Sequence, residues 1–243
     1  MSDLFIYFDS RNASDPSEPS IAVYNLNMRL NTYSHTHVQL SDISFANLVY
    51  PINSNNNTLV LEENAASSTT TFTITSQNYT GSQFATELSS ILSAGTGEGT
   101  VYTASYDSQT KIITITTDGN DFRITSASTC LDEIGLYTEM SSAQTTHVMP
   151  YPVRLDGSEY VDIISNIRVN NINTSGRTTI LARVYLDAPY GSLITWSNVT
   201  DDSLPFFSND FSSIELRLID SKGNLFSLPP VAQVAGSLKL SFK

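Results

Sequence analysis

The chain has 243 residues, 40% apolar and 15% charged, so it can bury a substantial core as one β domain or one plus an insert. Its net charge of −12 and pI near 4.4 argue against a nucleic-acid partner, and no basic stripe interleaved with aromatics offsets them. One cysteine, Cys130, excludes an internal disulfide.

The start, MSDLFIYFDS, lacks a basic n-region and a long apolar core, so no signal peptide is expected. No apolar stretch approaches the roughly 20 residues of a membrane helix, so no membrane span is expected either. Leu4 to Phe8 is a short apolar run, followed by the turn-rich DSRNASDPSEPS; residues 1–19 therefore read as an N-terminal arm that orders against a partner or the body of the fold. Ser20 to Leu30 alternates through Ile21, Val23, Leu26, Met28 and Leu30, as a half-buried strand does. His37 to Tyr50 is a second strand whose phase changes near Ser41–Asp42, the mark of a bulge. PINSNNN, from Pro51, is a loop.

A different texture follows. Leu59 to Leu61 and Phe72 to Ile74 are strand candidates. Asn78 to Ser82 turns into a helix with Thr80 or Ser82 as its cap, and Phe84, Leu88, Ile91 and Leu92 fall on one helical face. AGTGEG, from Ala94, ends it. Val101 to Tyr106 and Lys111 to Thr116 form a hairpin across Asp107-Ser-Gln-Thr, Phe122 to Ile124 is a third strand, and Ile134-Gly135-Leu136 packs back on the helix. Residues 58–140 thus read as a small inserted α+β domain.

Beyond Met140 strands resume. With the arm and insert set aside, eight begin near residues 20, 37, 146, 159, 178, 192, 212 and 236. The expected fold class is all-β: a single jelly-roll sandwich of two four-stranded antiparallel sheets, built from 20–57 and 141–243, with the insert in one loop. The spacing also admits another β-sandwich.

Chemistry is sparse. His35 and His37 share a strand face, and with His147 they would make a metal set only if the fold brought a distant residue to them; ordinary surface histidines are the simpler reading. Glu62-Glu63, Asp132-Glu133 and Asp201-Asp202 are adjacent pairs, whose members point to opposite faces of a strand, whereas a glycosidase needs two carboxylates facing each other across about 5 to 10 Å. Asp201-Asp202 is the one candidate for weak calcium binding. Nucleophile elbows and phosphate loops are missing. Asn12, Asn56, Asn78, Asn173 and Asn198 open Asn-x-Ser/Thr triplets, as expected by chance in so Asn-, Ser- and Thr-rich a chain. Cys130 reads as a small buried apolar residue. Trp196, at the end of an alternating strand, reads as a core or interface anchor rather than a sugar platform. The sequence offers no catalytic, cofactor-binding or metal-binding set, and no cofactor is expected.

Four segments in this order resemble one family: the strand pair up to HVQLSDISFANLVYPINSNNN; the module NYTGSQFATELSSIL with VYTASYDSQTKIITIT, DFRI and IGL; PVRLDGSEYVDIISNI with TTILARVYLDAPYGSLITW; and SIELRLIDSKGNLFSLPP with the closing LKLSF. They are similar to the penton, or vertex, minor capsid proteins of virophages, polinton-like viruses and related double-stranded DNA viruses. The middle module also resembles parts of other viral and phage structural proteins. The resemblance implies a jelly-roll body, a homopentamer at the fivefold vertex of an icosahedral capsid, contact with the major capsid protein, and an insert free to meet a host receptor or a fibre. It implies a virion component assembled in the host cytoplasm, and no catalytic residues. Two other readings remain: a jelly-roll attachment module that binds a receptor or glycan, and a polysaccharide-acting enzyme, which needs convergent carboxylates.

Overall fold

The computed structural model describes residues 2–28, 36–63, 69–95, 100–167, 179–200, 203–206 and 211–242. The chain divides into two compact units: Met1–Val49 with Ser158–Lys243, and Tyr50–Gly157. In chain order the larger unit opens with β1 (Ser2–Asp9), β2 (Ile21–Met28) and β3 (Thr36–Ala46). The smaller unit holds β4 (Thr58–Glu63), β5 (Thr69–Thr73), α1 (Gly81–Gly95), β6 (Tyr102–Tyr106), β7 (Ile113–Thr117), β8 (Phe122–Ile124), α2 (Leu131–Ile134) and β9 (Thr146–Val148). The chain then returns with β10 (Tyr160–Ser165), β11 (Ile180–Tyr185), β12 (Leu193–Ser197), β13 (Leu204–Phe206), β14 (Phe211–Asp220) and β15 (Val234–Phe242).

The larger unit is a single jelly roll. One sheet runs β1-β15-β3-β12, with β13 also on β3, and the other runs β11-β10-β14-β2. Leaving β13 aside, its first strand pairs with its last, its second with the next to last, and so inward to β10 with β11, always antiparallel. That is one long hairpin folded over into two layers. Alternation places one residue set of each strand inward, so Val38, Leu40, Phe45, Val161, Ile163, Val184, Ile214, Leu216, Leu218 and Leu240 make one buried core. The phase change in β3 is a real bulge: Ser237 pairs with Asp42 and Leu238 with Leu40, so Ser41 has no opposite number.

Four expectations are corrected. The stretch read as an N-terminal arm contains β1, paired with β15 from Ser2–Phe242 to Asp9–Ala235. Phe8 is buried, and the Ser10 hydroxyl, 1% exposed, accepts the Val234 amide at 3.1 Å. The strand near residue 146, assigned to the barrel, is β9 and pairs with β7 in the smaller unit. The insert therefore runs wider than 58–140, from Tyr50 to Gly157, because Ile52 bridges Gln77 and Met149 sits in the smaller unit's core. With β1 in the place given to β9 the eight expected strands are filled, and β13, paired with β3, is a ninth, so the sheets of the described residues have five and four strands instead of four each.

The smaller unit has two three-stranded antiparallel sheets, β5-β4-β8 and β6-β7-β9, with α1 packed on β6 and β5. Phe84, Leu88 and Leu92 form the buried face of α1 and meet Leu59, Leu61, Tyr102, Ile113 and Ile115. Thr80 is the cap: its hydroxyl accepts the Gln83 amide at 3.3 Å, and the Gln83 side chain accepts the Thr80 amide at 2.9 Å. Ser82 lies inside the helix instead. Gly135 closes α2 at φ +83, where a Cβ would stand 2.0 Å from the Tyr151 carbonyl oxygen, so only glycine fits there.

Candidate functional site

His147, Glu62, Glu63 and Glu133 each have a structural task. His147 is buried, its Nε2 lies 2.6 Å from the Phe122 carbonyl oxygen, and its ring packs edge-on against Phe122 at 4.7 Å. That is the signature of a core histidine. His37 lies in β3 of the other unit, and His35 lies outside the described residues. Among the described residues no group of three His, Cys, Asp or Glu side chains gathers to hold a metal.

The acidic pairs are tied down separately. Glu62 bonds Arg123 across β4 and β8 at 2.7 Å, while its neighbour Glu63 accepts the Tyr102 hydroxyl. Glu133 is buried and accepts the Asn56 amide at 2.7 Å. Asp201-Asp202 lies outside the described residues. A pair that sequence reading missed is Asp162–Arg183. These residues are directly opposed in β10 and β11, and the guanidinium donates to both carboxylate oxygens, at 2.8 and 3.0 Å. The same guanidinium lies 3.7 Å from the centre of the Tyr160 ring, and the carboxylate raises its pKa further. Asp162 is 1% exposed and both its oxygens are taken by Arg183, so the pair is a cross-strand clamp.

Cys130 is fully buried, and burial, reinforced by the Glu133 charge, pushes its thiol up to about 12. Folding raises this pKa above its ordinary 9.0, so the stability it lends is intact below about pH 9 and is lost as pH climbs toward 12. Native protein should therefore resist iodoacetamide at pH 8 and react fully once unfolded in urea. Rapid labelling of the native chain would show that the thiol is open.

Sugar-binding and glycan-acceptor candidates sort in the same way. Trp196 faces the jelly-roll core from β12, half-buried. Asn56 cannot accept a glycan in this fold, because its buried amide donates to the Pro51 carbonyl at 2.8 Å and to Glu133. The aromatic pair that does face solvent was not singled out from the sequence: Tyr137 and Tyr151, each about half exposed, with ring centres 4.8 Å apart. Gly135 fixes the approach of their backbones, and the Tyr151 amide donates to its carbonyl at 3.2 Å.

Charge is divided unevenly. Between Tyr50 and Gly157 lie eleven carboxylates against three basic side chains, a net −8. The remaining thirteen against nine leave the larger unit at −4. The edge strands of the jelly roll are quieter still. β2 and β12 hold no charged residue, and the one charge in β11 is clamped Arg183. In β1, Asp3 pairs with Lys239 and Asp9 with Arg11, whose guanidinium holds the Asp9 carboxyl below its ordinary pKa. The insert is thus the more acidic unit, and the edge strands of the jelly roll carry little net charge.

The fold and these surfaces define a class: a single jelly roll carrying a self-contained α+β unit between β3 and β10, with no metal-binding cluster among the described residues. No family model matches the sequence, and no curated protein does. Among solved structures the chain is similar to the mavirus penton protein, at 10% identity and a TM-score of 0.52, over 100% of both chains. The likeness is one of fold: the chain has a virophage penton-like architecture from end to end, body and insert together.

Proposed function

We propose that this chain is a structural capsid protein, the penton that closes the fivefold vertices of an icosahedral shell. The observation that carries the reading is the whole-length likeness of a jelly roll plus inserted unit to the mavirus penton protein. In this reading five copies form a ring and meet the major capsid protein around it, and the protein performs no catalysis. It resides at the capsid vertex after assembly in the host cytoplasm. In the same reading the acidic smaller unit is the part available to a receptor or fibre. A cyclic ring uses a heterologous interface, one side of each copy against the other side of the next. Much of its stability then comes from mass action in the particle.

The test is native mass of the purified protein, together with fitting one copy into the vertex density of purified particles. A pentamer, or a copy that fits the vertex, supports the reading. A strict monomer at high concentration that is also absent from particles overturns it.

A second reading, attachment, draws support from the exposed Tyr137–Tyr151 pair, since ring faces of this kind stack on sugars. A glycan screen with intact chain and with Tyr50–Gly157 excised separates the two. Binding lost on excision, with assembly retained, assigns recognition to the smaller unit.

A further inference from the structure

The exposed apolar side chains of the larger unit are not scattered. Among the described residues seven large ones stand out to solvent there, and six of them lie at two places. Phe5 and Tyr7 project from β1, 48% and 81% exposed. Tyr185, Tyr190, Leu193 and Val199 project from β11, from β12 and from the residues flanking β12, with Leu193 at 64% and Val199 at 88%. β1 and β12 are the two opposite edges of one sheet.

Edges of this kind are ordinarily guarded. A long strand ending a sheet invites another chain, and proteins blunt it with lysine, proline, a bulge or a short length. β1 has none of these: its eight residues, SDLFIYFD, pair with β15 without a register shift and present aromatics outward. β12 and its flanks, residues 192–200, contain no charged residue. Both carboxylates of β1 have cationic partners within 4 Å. In a chain of net −12, these are surfaces on which two copies approach with little repulsion, Asp187 beside Tyr185 being the one carboxylate between residues 179 and 200.

We propose that the two edges are the halves of one heterologous self-interface. The β1 edge of one copy, through Phe5 and Tyr7, docks on the β11–β12 edge of the next, through Tyr185, Leu193 and Val199. The assignment rests on the ring reading above and adds which surfaces meet. Each copy carries both halves, so every contact made leaves one half free at each end until the ring closes.

Blocking each half separately tests it. Phe5→Lys with Tyr7→Lys disables one edge, and Leu193→Lys with Val199→Lys disables the other. All four positions are exposed, so near-ultraviolet circular dichroism should match wild type; Tyr7→Ser and Leu193→Ser serve where a lysine variant does not fold. Each variant alone should sediment as a monomer, its association weakened about tenfold or more. Mixed one to one, they should form a dimer and nothing larger, because each supplies the half that the other lacks. A variant that dimerises alone overturns the proposal, and so does a mixture that stays monomeric. Wild-type rings that survive both blocks overturn the edge assignment and leave the ring reading standing. A wild type that stays monomeric at millimolar concentration and is missing from particles removes both.

Discussion

Replacing Gly236 by valine should unfold the jelly roll. Gly236 lies in β15, opposite Phe8 of β1 and Ile43 of β3. A Cβ there would stand 2.2 Å from the Asp42 carbonyl oxygen, 2.7 Å from the Phe8 ring and 3.0 Å from the Ile43 Cα. Two of those three atoms are backbone of the neighbouring strand, so no side-chain rotation relieves the clash. β15 is the strand that joins β1 to β3, and moving it breaks ladder hydrogen bonds on both sides. The added γ carbons of valine make the overlap larger. The loss should be on the order of 4 kcal/mol or more, a large part of the 5–15 kcal/mol that holds a typical domain. Trp196, the only tryptophan, lies in the same sheet, so its emission in urea reports this unit directly. A variant with a midpoint equal to wild type would mean that the β1–β15–β3 ladder is looser than described.

Phe84→Ala should damage the smaller unit by the opposite route, a void instead of a collision. Phe84 is fully buried on α1, its ring 5.6 Å from that of Tyr79, in the row that continues through Leu88 and Leu92. Truncating a buried phenylalanine costs about 3–5 kcal/mol, as lost transfer energy plus the cavity left behind. The helix rests on β6 and β5, where the Ser89 and Ser93 hydroxyls also exchange hydrogen bonds with the Ala104 and Tyr102 backbone, and its capping box supplies about 1 kcal/mol. Trp196 is blind to this event, so the measurement is amide exchange across α1, expected to speed up by about two orders of magnitude. Unchanged exchange would show that α1 is not held by this face.

Most of the architecture was legible because inward and outward residues alternate cleanly. TILARVYL reads as a strand at sight, and β11 occupies it. The bulge in β3 was visible as a change of phase, and the helix as one apolar face behind a cap offered by Thr80 or Ser82, of which Thr80 serves. β1 was not read as a body strand because its outward positions are also apolar: Phe5 and Tyr7 fill the slots where polar residues would have marked Leu4, Ile6 and Phe8 as the buried set. The feature that hid the strand is the one that now distinguishes the edge. β9 was misplaced for another reason. Three residues followed by prolines carry no sign of their partner, and its pairing with β7 spans some thirty positions. β13, with Pro205 at its middle, was missed because proline argues against a strand, although an edge position tolerates it. The Asp162–Arg183 clamp was out of reach for the same reason as β9: opposition across a ladder is set by register, which the residues of one strand do not reveal. Tyr137 and Tyr151 are fourteen positions apart, and only the left-handed turn at Gly135 brings their rings together.

The stretch from Tyr50 to Gly157 interrupts the chain where it leaves one sheet, at β3, and before it enters the other, at β10. No ladder joins β3 to β10, so the length of the stretch between them is not constrained by strand register. The entropic penalty of a longer excursion grows only logarithmically. The position is a socket: what is inserted there can change, in evolution or by grafting at the bench, without redesigning the strand pairings of the sandwich.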